Sequence, residues 1–158
     1  EPFRRRVLAI RGVASVEVRR RIPGAWVFEI VEYPPVAQAQ VDGRLVLLDR
    51  RGRPLPFDPT RGRADLPIAE PDSAVTALVD RVEDADLQFH ASVERASRQQ
   101  GTIILETGQF RILFRVGATT KDIQGASAVV TELARRRMAV TEVDARFDGR
   151  VVVRGGRG

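Results

Sequence analysis

Turn pairs ending in glycine divide this 158-residue chain into strand-length segments, and this feature constrains the fold most. Alternating apolar and polar residues flank the pairs, and such segments joined by short glycine turns are typical of antiparallel hairpins. The clearest predicted strand is 25–33 ("AWVFEIVEY"), which combines β-branched and aromatic residues. The pairs that predict turns are Pro23-Gly24, Asp42-Gly43, Arg51-Gly52, Thr107-Gly108 and Asp148-Gly149.

Three other segments carry helix signals. Pro2 suits a first helical turn, and Gly12 suits the left-handed residue that ends a helix. The predicted N-caps are Asp72 or Ser73 for a second helix and Thr119 or Thr120 for a third. The third helix is expected to bury Ile123, Ala126, Val130 and Leu133. Helices interposed among hairpins predict an α+β fold with mostly antiparallel pairing.

The segment 87–96 ("LQFHASVERA") alternates in the manner of a strand, with Leu87 and Phe89 on the inward side. This interpretation puts His90 on the outward, polar side, where a lone histidine is usually solvated. His90 is the single histidine, and the chain has no cysteine, so a histidine–thiolate metal site is excluded.

Catalytic signals are scarce in the rest of the chain. Motifs for nucleophilic hydrolases, zinc peptidases, phosphate loops and dinucleotide sites do not occur. Glu83, Asp84 and Asp86 are close together, and at a helix end they are expected to cap and solvate it. We therefore expect a protein that is not an enzyme and that uses no cofactor or metal.

The formal net charge is +5, carried almost wholly by arginine, since Lys121 is the only lysine. A positive field could favour nucleic acid or a phospholipid surface. The arginines, however, are dispersed among acidic residues, and the sparse aromatic residues do not interleave with them as a base-stacking platform requires. We therefore expect no nucleic-acid binding. No apolar run approaches the roughly 18 residues of a membrane helix.

The end of the chain is the remaining candidate for a binding site. Residues 150–154 ("RVVVR") form a short β-branched segment, and a terminal strand often lies at a sheet edge that can accept a strand from another protein. The alternative is a strand that pairs only inside its own sheet. Periodicity leaves both open.

The order of several motifs resembles the FtsQ/DivIB family of bacterial cell-division proteins over nearly the whole chain. The end of a POTRA domain is matched by Val13, Val16, Val18, Arg20 and Pro23, then by Glu32, Pro35, Val36 and Ala37. A following hairpin is matched by Asp49, Gly52 and Phe57, and the closing segment by Asp144, Arg146, Phe147 and Gly149. Ala145 departs from the family, which usually has leucine there. The first strand and helix of the POTRA domain are expected upstream of Glu1, as is a membrane helix.

The resemblance implies a non-enzymatic scaffold of the division septum, anchored in the inner membrane by a single helix, with this part extracytoplasmic. Residues 1–37 would be the C-terminal portion of a POTRA domain, 38–154 the mainly antiparallel β domain, and 155–158 a flexible Gly/Arg tail. The expected partners are FtsB/DivIC-like and FtsL-like proteins and other divisome components, added as a strand beside the last strand. The implied partner-binding residues are Arg98, Arg146, Phe147, Gly149, Val151, Val152 and Val153.

Two other interpretations remain open at this point. A POTRA-containing transport or assembly component would share the N-terminal motifs. A basic nucleic-acid-binding module would use the positive charge, and its arginines would have to form one continuous face.

Overall fold

A computed structural model describes residues 2–61, 63 and 65–155. In chain order its elements are α1 (Pro2–Leu8), β1 (Val13–Arg21), β2 (Ala25–Glu32), β3 (Ala37–Val41), β4 (Arg44–Leu48), a 3-10 turn (Pro59–Arg61), β5 (Ile68–Ala69), α2 (Ser73–Ala85), α3 (Leu87–Ser92), β6 (Val93–Gln99), β7 (Thr102–Thr107), β8 (Arg111–Arg115), α4 (Thr120–Arg135), β9 (Val140–Phe147) and β10 (Arg150–Gly155). We call α1, β1 and β2 the N-terminal unit and the elements from β3 onward the main domain.

Eight strands of the described chain form one sheet in the order β10-β9-β8-β7-β6-β5-β3-β4. Most neighbours are antiparallel, while β5 lies parallel to β3 and β6, and β8 lies parallel to β9. Helices α2 and α4 pack against the sheet, and a continuous apolar core that includes Phe114, Leu105 and Ile123 lies between them. The predicted α+β class is confirmed.

The glycine turns produce the predicted hairpins. β1–β2, β3–β4, β7–β8 and β9–β10 are all antiparallel pairs. Asp42 and Gly43 have φ values of 51° and 73°, the left-handed pair that a two-residue hairpin loop prefers. Because glycine tolerates positive φ without a Cβ clash, Gly24, Gly43 and Gly149 suit the reversals of three of these hairpins.

Both predicted helix starts are confirmed by their caps. The Asp72 carboxylate accepts hydrogen bonds from the backbone N–H groups of Ala74, at 2.7 Å, and Val75, at 3.2 Å. Thr119 and Asp122 form a reciprocal capping box at the start of α4. A cap of this kind stabilises a helix by about 1 kcal/mol. The predicted inward residues of α4 are buried, except that Val130 is only half-buried at the margin of the core.

The strand predicted over 87–96 is wrong for its first six residues, which form helix α3. The cause is Asp86, whose carboxylate accepts a hydrogen bond from Phe89 N–H at 2.9 Å and so caps a helix there. His90 is consequently 1% exposed rather than solvated, and both of its ring nitrogens lack a hydrogen-bond partner among the described residues. The strand begins only at Val93.

The N-terminal unit adjoins the main domain through Gly12 and Tyr33. Tyr33 N–H donates to the Gly12 carbonyl at 2.8 Å. Gly12 has the predicted left-handed conformation, with a φ of 92°, but α1 already ends at Leu8, so Gly12 does not end the helix. A Cβ on Gly12 would lie 2.9 Å from Phe57 Cζ. Every residue of β2 is exposed, in contrast to the buried central strands of the main domain.

Strand β10 extends to Gly155, which pairs with Val140. The first residue of the predicted tail therefore lies in the sheet, and the other three lie outside the described residues.

Candidate partner-binding edge

Strand β10 occupies one edge of the large sheet. It pairs with β9 on one side, and within the described residues no strand pairs with its other side. Of the two alternatives that periodicity leaves open, the structure therefore shows the sheet edge. Val151 is half-buried against the core, while Val152 and Val153 are exposed. An edge strand presents unpaired backbone N–H and C=O groups, so this one can accept a further strand.

The opposite edge of the sheet is shielded by its own chain. Leu55 N–H donates to the Leu47 carbonyl of β4 at 2.8 Å, and Leu48 forms a bridge with Pro54. Proline cannot continue a ladder, so this contact blocks extension of β4. Strand β10 has three valines and no proline, so the strand order and composition favour it as the accepting edge.

One face of the β9–β10 hairpin forms a groove with helix α4. The groove has a volume of about 380 Å³ and is lined by Phe147, Val151 and Gly125, among others. Phe147 is 48% exposed. Gly125 lies directly over β10, since a Cβ on it would be 3.9 Å from Val151 Cγ2. The missing side chain of Gly125 leaves room for an apolar group beside the edge.

The other face of the hairpin carries an ion-pair network around Asp144, whose side chain is fully buried. Arg146 donates to both Asp144 carboxylate oxygens, at 2.8 and 2.7 Å, and Arg154 contacts the same carboxylate at 3.4 Å. Arg154 also donates to Glu142 at 2.9 Å. The hydrogen bonds from Arg146 hold the pKa of Asp144 below its ordinary value, against the opposing effect of burial.

Six of the seven predicted site residues are brought together on this hairpin and its turn, the exception being Arg98. Arg98 lies on β6, four strand spacings from β10, on the order of 19 Å away. Its guanidinium contacts Asp72 at 3.2 Å and the Gln100 carbonyl at 3.1 Å. The structure therefore gives Arg98 local partners and a place away from the edge.

Sequence reasoning missed several residues that border the edge: Lys121, Gln124, Gly125, Arg150 and Arg154. Two signals could have found some of them. Gly125 is a glycine inside a strong helical pattern, which usually has a packing reason. Arg154 follows Val152 by two residues and so shares a face with it in a strand.

None of the described helices is long and apolar enough to cross a membrane. Within the same residues, no cluster of three histidine or acidic side chains could hold a metal ion.

The fold and its open edge define an α+β module with a free β-strand at one end of the sheet. The structure is similar to the major extracytoplasmic domain of the trans isomer of the bacterial cell division protein DivIB from Geobacillus stearothermophilus. The TM-score is 0.46 and the sequence identity 12%, over 66% of this chain and 97% of that chain. No family model matches the sequence. No curated protein matches it either.

Proposed function

We propose that this chain is the extracytoplasmic part of an FtsQ/DivIB-type division protein and that it binds partners by strand addition at β10. The observation that carries the proposal is the free β10 edge, flanked by a groove on one face and arginines on the other. The motif resemblance supplies the biological setting, a single-pass membrane protein of the division septum. The proposed role is binding, with no catalytic step.

The two faces of the hairpin suggest what a partner strand should contain. Phe147 and the groove beside Gly125 suit an apolar side chain. Arg150, which lines the same groove, and Arg154, on the other face, suit carboxylates. Backbone pairing supplies affinity with little sequence demand, and these side chains add specificity. The proposed partners are therefore acidic, apolar segments of FtsB/DivIC-like and FtsL-like proteins.

Arg146 can bind a partner carboxylate only through the N–H groups that do not already donate to Asp144. Its Nε and Nη2 atoms are bound to Asp144, whereas among the described residues Nη1 reaches only Thr102 Oγ1, at 3.3 Å. A partner carboxylate would therefore approach Nη1 or the second N–H group of Nη2. Strand addition tolerates this arrangement because the guanidinium is already oriented by its internal pair.

Proline substitutions at neighbouring positions of β10 test the proposal and control for folding. Successive residues of a strand point their N–H groups to opposite sides, so of Val152→Pro and Val153→Pro one removes a donor that faces solvent and the other a donor that pairs with β9. The variant that loses the solvent-facing donor should stay folded. In calorimetric titration with an FtsB-like C-terminal peptide, this variant should lose binding. Unchanged peptide affinity in both variants would refute strand addition at β10.

A further inference from the structure

A row of alternating charges crosses one face of the large sheet, from the β10 edge towards its middle. The strand register places one charged residue of each strand opposite the next, in the order Arg154, Glu142, Arg111, Glu106 and Arg95. We call these five residues the charge row. The last four are each adjacent in sequence to a buried core residue, so the row lies on the face away from the core. Opposite charges that face each other across strands stabilise the pairing.

The two ends of the charge row differ. At the far end, Arg95 faces an acid on one side and Ile68 of β5 on the other, so the alternation stops at an apolar residue. Arg111, in the middle, faces an acid on both sides. At the near end, Arg154 faces Glu142 of β9, and within the described residues no strand pairs with the other side of β10. A strand added at this edge would therefore continue the row.

The Arg154 side chain is held in place and yet accessible. Its Nη1 atom donates to Glu142 at 2.9 Å, and its Nη2 atom lies 3.4 Å from an Asp144 carboxylate oxygen. The side chain is 53% exposed. A guanidinium has five N–H groups, so donors remain for a further carboxylate. Because the internal contacts already orient the guanidinium, binding a carboxylate costs less side-chain entropy.

The valines of β10 do not by themselves fix the alignment of an added strand. Val152 pairs with Asp144 and shares the open face with Arg154, whereas Val153 pairs with Val143 on the face that carries the core. The two valines are 38% and 41% exposed, so the two faces of the edge are about equally apolar and accessible. Register is strongly specified where one face is buried and the other is not. A charge at one defined position supplies the missing distinction.

We propose that the charge row sets the register of the strand that β10 accepts. The partner strand places an acidic residue opposite Arg154 and an apolar residue opposite Val152, and the residue between these two points to the α4 side. A second copy of β10 does not fit this pattern, because residues 150–155 contain no acidic residue. The inference rests on the proposed strand addition at β10 and adds to it the position of the acid in the partner.

The chain has no cysteine, so one engineered thiol can report the register. The Val152→Cys chain is mixed with peptides of alternating threonine and valine that contain one glutamate and one cysteine. The cysteine stands one, two or three residues from the glutamate, on either side. Opposed residues of antiparallel strands bring their Cα atoms to about 4.5–5.5 Å, within the range that a disulfide spans.

In a glutathione redox buffer, the mixed disulfide should form best with a two-residue spacing on one side of the glutamate. Its yield should exceed the yields at spacings of one and three residues by about two- to fivefold, the scale of a cross-strand charge pair. The preference should disappear when Arg154→Gln is added to Val152→Cys. It should persist with Arg95→Gln, the matched control, which removes the same charge from the far end of the row. Circular dichroism checks that each variant keeps the fold.

The outcomes separate the register from strand addition itself. Equal yields at every spacing, or a preference that survives Arg154→Gln, would overturn the register and leave strand addition in place. Loss of the preference in both arginine variants would assign it to net charge and would also overturn the register. Leu45→Cys, exposed on β4 at the shielded edge, gives the background yield. If Val152→Cys does not exceed this background with any peptide, strand addition at β10 is refuted, and the register with it.

Discussion

The Arg146 guanidinium donates hydrogen bonds to both carboxylate oxygens of Asp144, a residue two positions earlier on the same strand. Residues two apart in a strand share a face, so the pair forms without any distant element. The Asp144 side chain is fully buried while Arg146 stays partly exposed, so the arginine covers the carboxylate at the sheet surface. This internal pair gives Arg146 a structural role alongside the partner contact proposed for it.

Replacing Asp144 with asparagine should destabilise the fold by about 2 kcal/mol, the scale of a hydrogen bond to a charged group. The amide keeps the shape but loses the charge that orients Arg146 and Arg154. Urea unfolding followed by circular dichroism measures the change. Glu142→Gln is the matched control, because Glu142 binds only Arg154 among the described residues and at a more exposed position. An equal cost in both variants would contradict the central role of Asp144.

The pair of Asp144 and Arg146 also predicts part of the loss of folding stability at acidic pH. Because Arg146 lowers the pKa of Asp144 in the folded chain, the stabilisation is fully present above the unfolded pKa of about 4. It is lost as the pH falls through the lower folded pKa. Stability of the Asp144→Asn variant should therefore fall less steeply in this acidic range than that of the unmodified chain. Parallel pH–stability curves for the two proteins would contradict the assignment.

Truncation of Phe147 to alanine should cost about 2 kcal/mol of peptide binding if Phe147 is a partner anchor. It should change the free energy of unfolding little, because about half of the side chain is already exposed. Leu45→Ala is the control, since Leu45 is similarly exposed on β4 at the opposite edge of the sheet. Calorimetric titration with the FtsB-like peptide compares the two. Unchanged affinity in Phe147→Ala would remove Phe147 from the proposed site.

The sequence predicted those parts of the fold that depend on local chemistry. Asp42-Gly43 adopts the left-handed turn that its residue types favour, and Asp72 and Thr119 cap helices through side chains only a few residues away. The sequence pattern does not predict the edge position of β10, because strand order depends on pairings between distant segments. Alternation within "RVVVR" reports only which side chains share a face.

Helix α3 shows where periodicity misleads. Leu87 and Phe89 alternate with polar residues, yet Asp86 caps a helix and also accepts a hydrogen bond from the Ser127 hydroxyl of α4. That second contact joins residues 41 positions apart, so no local pattern could indicate it. Burial of His90 follows from the same packing. The distance of Arg98 from β10 was not predictable for a related reason, because the four strand spacings between them are a property of the sheet topology.

Gly125 provides a test that separates stability from binding. Gly125→Ala should stabilise the chain by about 0.5–1 kcal/mol, since alanine favours a helix interior and the new Cβ would make only an ordinary 3.9 Å contact with Val151. Gly125→Leu should instead fill the groove beside Phe147 and weaken peptide binding. Thermal unfolding measures the first effect and calorimetric titration the second. Full peptide affinity in Gly125→Leu would show that the partner does not enter the groove.

Both ring nitrogens of His90 are buried without a hydrogen-bond partner among the described residues. A buried polar atom that forms no hydrogen bond costs free energy, so replacing the ring with an apolar group of similar size should be neutral or stabilising. His90→Leu is therefore expected to unfold at the same or a higher urea concentration than the unmodified chain. Phe89→Leu, at the adjacent buried position, is the control and should destabilise, since it removes packed volume from the core. A loss of more than about 1 kcal/mol in His90→Leu would mean that the imidazole makes a stabilising hydrogen bond, for instance to a buried water.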